Sequence, residues 1–307
     1  MSSPIVEVKN VCKNFPGVRA LDNVSISVNR SEIFGLVGEN GAGKSTLMNI
    51  LVGVYKPDSG TIYRGNEPIK PKNPLDAAQN GIFMVHQSSS MIPNLPVYEN
   101  IFIGREKRFT KYTRLDVGKM QHEAHDILAS LDMNIDPRLV LGDLNISQRW
   151  MVEIARAFSF SEEIGKFPLI ILDEPTAPLT DPEIRVLFHK METFKEKACF
   201  VFISHRLAEV IDISDRVCIL KDGRVVSTID QSEKKISEDE LHRLMIGRPR
   251  DVEFYKENRQ RMPENEEVLL VDAFSFSPYF KNVSFRLYRG EILGIAGLIG
   301  SGKSELG

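Results

Sequence analysis

The stretch Gly38-Glu39-Asn40-Gly41-Ala42-Gly43-Lys44-Ser45 constrains the fold more than any other part of the chain. It fits the spacing G-x-x-x-x-G-K-[ST]. EIFGLV at 32–37 reads as a buried strand entering it, and TLMNILVGV at 46–54 has helical spacing leaving it. Strand, glycine-rich loop and helix together make a cradle for phosphate. The glycines let successive N–H groups turn toward one anion, and the helix adds its positive end. Lys44 then neutralises charge on the β- and γ-phosphates, and the Ser45 hydroxyl ligates Mg²⁺. A ligand-free glycine turn has a similar composition. Against it stand the flanking elements and a second match, Gly297-Leu298-Ile299-Gly300-Ser301-Gly302-Lys303-Ser304.

A buried strand closed by two acids complements this loop. Leu169-Ile170-Ile171-Leu172-Asp173-Glu174 has no polar alternation, and neither does CFVFIS at 199–204. Such runs suit central strands covered on both faces, and open α/β sheets bind ligands at the strands' carboxyl ends. Asp173 is therefore read as a Mg²⁺ ligand, direct or through water, and Glu174 as the group polarising an attacking water. Two further strand ends carry candidates. Gln87 offers a neutral amide to Mg²⁺ or the lytic water, although a lone Gln there also fits a solvated strand end. His205 can hydrogen-bond a γ-phosphate or simply lie at the surface. Phe15 can stack on adenine or belong to a core.

The rest of the chain is organised around these motifs. Residues 5–11 and 24–28 read as strands, 81–86 as a short strand, 181–197 as an amphipathic helix, and 216–229 as a hairpin around Asp222-Gly223. About 88–165 reads as a helical insertion, with a Pro- and Ser-rich entry and helices at 117–131 and 148–160. Residues 248–266 are polar and charged and read as a linker. Beyond them Asn23-Val24-Ser25, Glu32, Gly35 and Gly38 return as Asn282-Val283-Ser284, Glu291, Gly294 and Gly297, each 259 positions later. A constant offset means a duplicated domain. The expected organisation is a first domain at 1–247, a linker at 248–266 and the opening of a second copy at 267–307.

A net charge of −3 argues against a dedicated nucleic-acid binder. Cys12, Cys199 and Cys218 form no metal-binding or disulfide pattern, and reduced thiols fit a cytosolic setting. The first residues, MSSPIVEVKN, predict no secretory leader, and no apolar window reaches the ~18 residues of a membrane span. Membrane association is thus expected to go through a partner.

Taken in order, these residues resemble the ABC transporter ATPases over almost the whole chain. The resemblance implies an α/β fold, a P-loop NTPase core with a mixed sheet and a helical subdomain, with the start of a second copy at the C-terminus. It makes Phe15 an adenine-stacking aromatic, and 38–45 with Thr46 the ATP-binding loop. It makes Gln87 a Mg²⁺ and water contact, 144–157 the signature segment, 169–174 the acidic strand, and His205 the switch histidine. Phrases such as FPGVRALDNVS, GENGAGKSTL and MVEIARAF are similar to the sugar-import branch, whose members fuse two ATPase domains. Leu144-Asn145-Ile146-Ser147-Gln148 is nearest the galactose/methyl-galactoside subgroup. The implied function is ATP binding and hydrolysis that energises import of a monosaccharide such as galactose, methyl galactoside or ribose.

The implied partners are integral membrane permease subunits and, indirectly, a periplasmic-type sugar-binding protein, with 88–112 as the coupling surface. The implied location is peripheral, on the cytoplasmic face of the inner membrane. The signature departs from Leu-Ser-Gly-Gly-Gln. Asn145 replaces a hydroxyl, Ile146 adds bulk where Gly is usual, and Thr180 stands where an Asp is expected. Asn145, Ser147 and Gln148 would face the nucleotide of a second cassette, as Gly297, Gly300, Gly302, Lys303 and Ser304 would hold a second one. This polypeptide is expected to bind Mg-ATP and hydrolyse it poorly, since the second copy lacks its own acidic strand, signature and histidine. The competing readings are a soluble tandem ATPase acting on ribosomes or DNA, and a nucleotide-binding regulator without turnover.

Overall fold

The computed structural model describes residues 4–85, 91–111, 114–246, 265–297 and 300–307, and the chain divides into two compact units, Met1–Arg250 and Asp251–Gly307. In the first unit, strands β1 (Val6–Phe15) and β2 (Val18–Val28) form an antiparallel hairpin. β3 (Ile33–Val37) leads through the glycine loop into α1 (Lys44–Leu51). β4 (Ser59–Arg64) and β5 (Glu67–Ile69) complete a four-stranded antiparallel sheet in the order β2-β1-β4-β5. Helix α2 (Pro74–Gln79) starts at Asn73, whose side chain accepts from the Asp76 N–H, and precedes β6 (Ile82–Val85).

A helical region follows, with α3 (Val97–Phe102), a short β7–β8 ladder (Thr110–Lys111 with Arg114–Leu115), α4 (Val117–Ser130) and α5 (Ile146–Ile164). The chain then returns through β9 (Leu169–Asp173), α6 (Asp181–Phe194), β10 (Cys199–Ile203), α7 (Leu207–Ile213), β11 (Arg216–Lys221), β12 (Arg224–Asp230) and α8 (Glu238–Ile246). The main sheet runs β12-β11-β3-β10-β9-β6, parallel except for the edge strand β12.

The central strands are apolar on both sides because each side meets its own core. Ile33, Val37, Ile170, Leu172, Phe200 and Phe202 pack with the helical region. The alternating neighbours Phe34, Leu36, Ile171, Val201 and Ile203 pack with α1 and the antiparallel sheet. Cys199 and Cys218 lie fully buried among these strands, and burial pushes their thiols up to about 12 and about 11. The turn at Asp222-Gly223, with φ 47° and 74°, closes β11 on β12 as its sequence predicts.

Several expectations shift in extent. The first two strands are longer than 5–11 and 24–28, because their outer ends pair with each other as far as Phe15 and Val18. The helix expected over 181–197 ends at Phe194, and that over 148–160 grows to Ile146–Ile164. The β4–β5 hairpin, the short β7–β8 ladder and helices α2, α3, α7 and α8 were not anticipated. The linker expected at 248–266 and Gln87 lie outside the described residues, apart from Asn265 and Glu266.

One buried charge ties the two sheets. Glu32 is almost fully buried, accepts from the Asn29 N–H at 2.5 Å, and meets Arg216 at 3.1 Å. Burial raises its carboxyl's pKa, with Asn29 and Arg216 opposing. Replacing Arg216 by Met leaves an uncompensated buried carboxylate, and a loss of about 3 kcal/mol is expected at neutral pH. With Arg216 no longer opposing burial, the Glu32 carboxyl is raised further above its unfolded value, so the native state binds a proton more readily than the unfolded chain. Stability therefore falls as pH rises above the ordinary glutamate value of 4.5, and the deficit closes below it. Urea unfolding of the variant at several pH values checks this.

The second unit repeats the start of the first. β13 (Glu267–Phe276) and β14 (Phe280–Tyr288) form a hairpin, and α9 (Lys303–Leu306) follows the second glycine loop. The offset of 259 survives as geometry. Asn23 and Asn282 share a left-handed backbone, with φ 56° and 52°. The Glu32–Asn29 bond returns as Glu291 accepting from the Tyr288 N–H at 2.8 Å. Residues 291–297, which correspond to β3, join no ladder among the described residues, and Ile292 is 97% exposed. Among the described residues of the second unit the only ladder is β13 with β14.

Candidate active site

Register brings the motif ends to one level. Ile203 pairs with Leu36 of β3 on one side and with Asp173 of β9 on the other. The chain leaves β3 one residue after Leu36, at Val37, and enters the glycine loop. The loop, the acids and His205 thus emerge together at the carboxyl edge of the parallel sheet.

The loop is built against the backbone around it. A Cβ at Gly38 would stand 2.2 Å from the Leu220 carbonyl, and one at Gly43 2.5 Å from the Ala20 carbonyl. Gly43 also has φ 104°, open only to glycine at low cost, and it caps α1. Lys44 folds over the loop, donating to the Gly38 carbonyl at 2.6 Å and the Glu39 carbonyl at 3.1 Å. Burial lowers the pKa of its ammonium, while Glu174 and Asp173, close enough to act on it, push the other way. Lys44 and the two acids thus lie at the one sheet edge that the register of β3, β10 and β9 sets, near enough for their charges to act on each other. Asn40 and Gly41 are exposed at its rim, and Ser45 and Thr46 open α1.

Glu174 sits in the left-handed region at φ 52°, a strained backbone held by its N–H donating to the Ile203 carbonyl at 2.9 Å. Its Oε2 lies 2.5 Å from His205 Nδ1. Sequence reasoning missed the residue behind this pair. Glu209, in the first turn of α7, accepts from the Thr176 hydroxyl at 2.5 Å and the Ser204 hydroxyl at 3.2 Å, and pairs with Arg206 at 2.9 Å. Thr176 and Ser204 are buried, so one carboxylate ties the loop carrying Glu174 to the loop carrying His205. A carboxylate four positions after the strand-end histidine is the nearest thing to a sequence signal for it.

The signature segment is a helix cap. Asn145 Oδ1 accepts from the Gln148 N–H at 2.8 Å and the Ser147 hydroxyl at 2.9 Å, and Gln148 Oε1 accepts from the Asn145 N–H at 3.1 Å. Ile146 is 41% exposed at the first turn of α5. Thr180 donates its N–H and its hydroxyl to Glu183 at 2.9 and 2.8 Å, which starts α6 and lowers the Glu183 pKa. These bonds stay local and do not reach the glycine loop. Phe15 ends β1, half-buried. In the second unit Lys303 donates to the Gly297 carbonyl at 2.8 Å, Gly300 and Gly302 both have φ 82°, and Ser304 lies in α9. A Cβ at Gly302 would meet the Tyr279 carbonyl at 2.7 Å, as one at Gly43 meets Ala20.

The family model described as ABC transporter matches residues 21–177. This chain belongs to the ABC transporter family. Two curated relatives of this ABC protein extend the match. The "Putative ribose/galactose/methyl galactoside import ATP-binding protein" of Halalkalibacterium halodurans is 40% identical over 304 residues, covering 98% of this chain and 56% of that protein. The "Ribose import ATP-binding protein RbsA" of Clostridium tetani is 41% identical over 305 residues, covering 99% and 58%. The chain thus spans a little over half the length of the curated relatives it matches. Among solved structures, a nucleotide-free ATP-binding cassette from an ABC transporter is 27% identical with a TM-score of 0.67, covering 80% of this chain and all of that one. An ATP-binding cassette in an ADP conformation gives 27% and 0.68 over the same shares.

Proposed function

We propose that this ABC protein binds and hydrolyses ATP with Mg²⁺ to energise import of a sugar of the ribose or galactose type through membrane permease subunits. The observation that carries the reading is the shared site of Lys44, Asp173 and Glu174. The glycine cradle, with its N–H groups and Lys44, suits a polyphosphate. A hydroxyl and a carboxylate, Ser45 and Asp173, suit Mg²⁺, which keeps few protein ligands and leans on substrate phosphate. No group of three or more His, Cys, Asp or Glu side chains fit to hold a metal occurs among the described residues. When bound, Mg²⁺ would neutralise phosphate charge. Glu174 would orient and deprotonate the attacking water, and His205, held on Glu174, would read the γ-phosphate end. Gln87 is proposed to join them.

The signature cap at Asn145, Ser147 and Gln148 exposes a helix start that we assign to the nucleotide of a facing cassette, with Gly297, Gly300, Gly302, Lys303 and Ser304 as a second phosphate loop. The domain limits proposed remain 1–247, 248–266 and 267–307. No described helix is long and apolar enough to cross a membrane, and the permease subunits are proposed as the membrane-spanning partners. A cavity of about 370 Å³ between the core and the helical region, lined by Phe83, Ile103, Arg105, Arg156 and Phe160, lies next to the coupling segment proposed at 88–112. Within that segment the buried Asn100 donates to the Ile92, Leu95 and Pro96 carbonyls and accepts from the Ile92 N–H. A periplasmic-type binding protein and a peripheral position on the cytoplasmic face complete the proposal, with no nucleic-acid partner.

Reconstitution with permease subunits in vesicles tests it. Uptake of labelled ribose, galactose or methyl galactoside should require Mg-ATP and vanish with Glu174→Gln. Hydrolysis stimulated by ribosomes or DNA, with no permease association, would replace transport with the competing reading.

A further inference from the structure

Helix α1 starts at the phosphate loop and ends at Leu51, and four residues later Tyr55 stands 37% exposed, its N–H donating to the Asn49 carbonyl at 3.1 Å. Its ring meets Phe15 edge-on, with centroids 5.3 Å apart and planes at 74°. The Lys13 ammonium lies 5.5 Å from the centre of the same Phe15 ring. Lys13 is itself pinned by Asp58 at 3.0 Å, and the same carboxylate accepts from the Asn14 N–H at 2.6 Å. The end of β1 is thereby clamped to the loop after α1, and Phe15 is oriented from two sides. Val54, Tyr55 and Val18 remain exposed around it. This corner adjoins the phosphate loop, because the Ala20 and Leu21 stretch of β2 is what Gly43 packs against. An apolar, cation-flanked aromatic corner at that place fits the base of a nucleotide whose phosphates lie in the loop.

We infer that Tyr55 is a positioning residue for the nucleobase: by holding the Phe15 ring in a stacking orientation, it tightens binding of a nucleotide over a bare polyphosphate. The physical reason is preorganisation. A ring already oriented loses less freedom when a base stacks on it. This inference rests on the proposed ATP site.

The test uses the full chain and two probes, Mg-ATP and Mg-tripolyphosphate, titrated calorimetrically. Tyr55→Ala should weaken Mg-ATP about fivefold, the equivalent of one edge-on aromatic pair, and leave tripolyphosphate within a factor of about two. Tyr55→Phe keeps the ring and should bind both probes like the parent. Equal weakening of both probes by Tyr55→Ala, or no weakening of either, would overturn the role assigned to Tyr55 and leave the phosphate site standing. Failure of the parent chain to bind either probe would overturn the nucleotide site itself, and the inference with it. Tyr55 is exposed, so the alanine variant has no core to disrupt, and an unchanged thermal melt confirms that.

Discussion

Gly43→Ala should abolish nucleotide binding, with an affinity loss of at least about 100-fold, more than 2.7 kcal/mol. The added methyl meets the Ala20 carbonyl at 2.5 Å, a backbone atom of a paired strand that has nowhere to move. The backbone at φ 104° is also closed to alanine at low cost. Relief requires α1 and its first N–H groups to swing away from the phosphate position. Lys44, anchored on the Gly38 carbonyl by the same loop, goes with them. The same change costs folding stability, about 2–3 kcal/mol for clash and strain together. Titration of the variant with Mg-ATP, beside its urea midpoint, separates the two effects. Gly41→Ala is the internal control. It has φ 85° but no atom within 4 Å of the added methyl, so it carries the strain without the clash and should lose less.

Glu174→Gln should separate binding from chemistry. The amide keeps the size of the side chain but cannot take a proton from water. Removal of a positioned base typically costs 10²–10⁴-fold in rate. Hydrolysis per bound nucleotide should fall about 1,000-fold while Mg-ATP affinity stays within about threefold, read as a kcat loss without a matching Kd change. The amide also alters the contact to His205 Nδ1 at 2.5 Å. A rate loss no larger than the affinity loss would remove Glu174 from the chemistry and leave it a structural acid.

Much of this site was legible in residues because its signals are local. A glycine loop between a strand and a helix, and an apolar run ending in two acids, each carry their geometry within about ten positions. The apolar runs at 32–37, 169–172 and 199–204 announced central strands, since both faces of those strands are buried, but the register that levels Leu36, Asp173 and Ile203 came only with the structure. What escaped was non-local or side-chain specific. Glu209 acts on Thr176, 33 positions away, and on Ser204, five away, and no pattern within a helix announces that. Nothing in the sequence around Tyr55 marks it, and only its ring against Phe15 draws it to the site. At the signature, Asn145 caps α5 and Ile146 stands exposed in its first turn, so the bulk it adds lies on the surface assigned to a facing cassette. The β4–β5 hairpin is by contrast local, since Arg64 pairs with Glu67 across Gly65-Asn66 with Gly65 at φ 59°, a turn signal that went unread.

The most direct measurement is the magnesium dependence of ATP binding in the parent chain and in Asp173→Asn, each titrated with Mg²⁺ and with chelator present. If the loop and the acids hold one magnesium nucleotide, Mg²⁺ should tighten ATP binding at least about tenfold in the parent, 1.4 kcal/mol, and this gain should largely disappear in the variant. An Asp173→Asn protein that keeps the full magnesium gain, or a parent chain that takes up no ATP with Mg²⁺ present, would contradict the account.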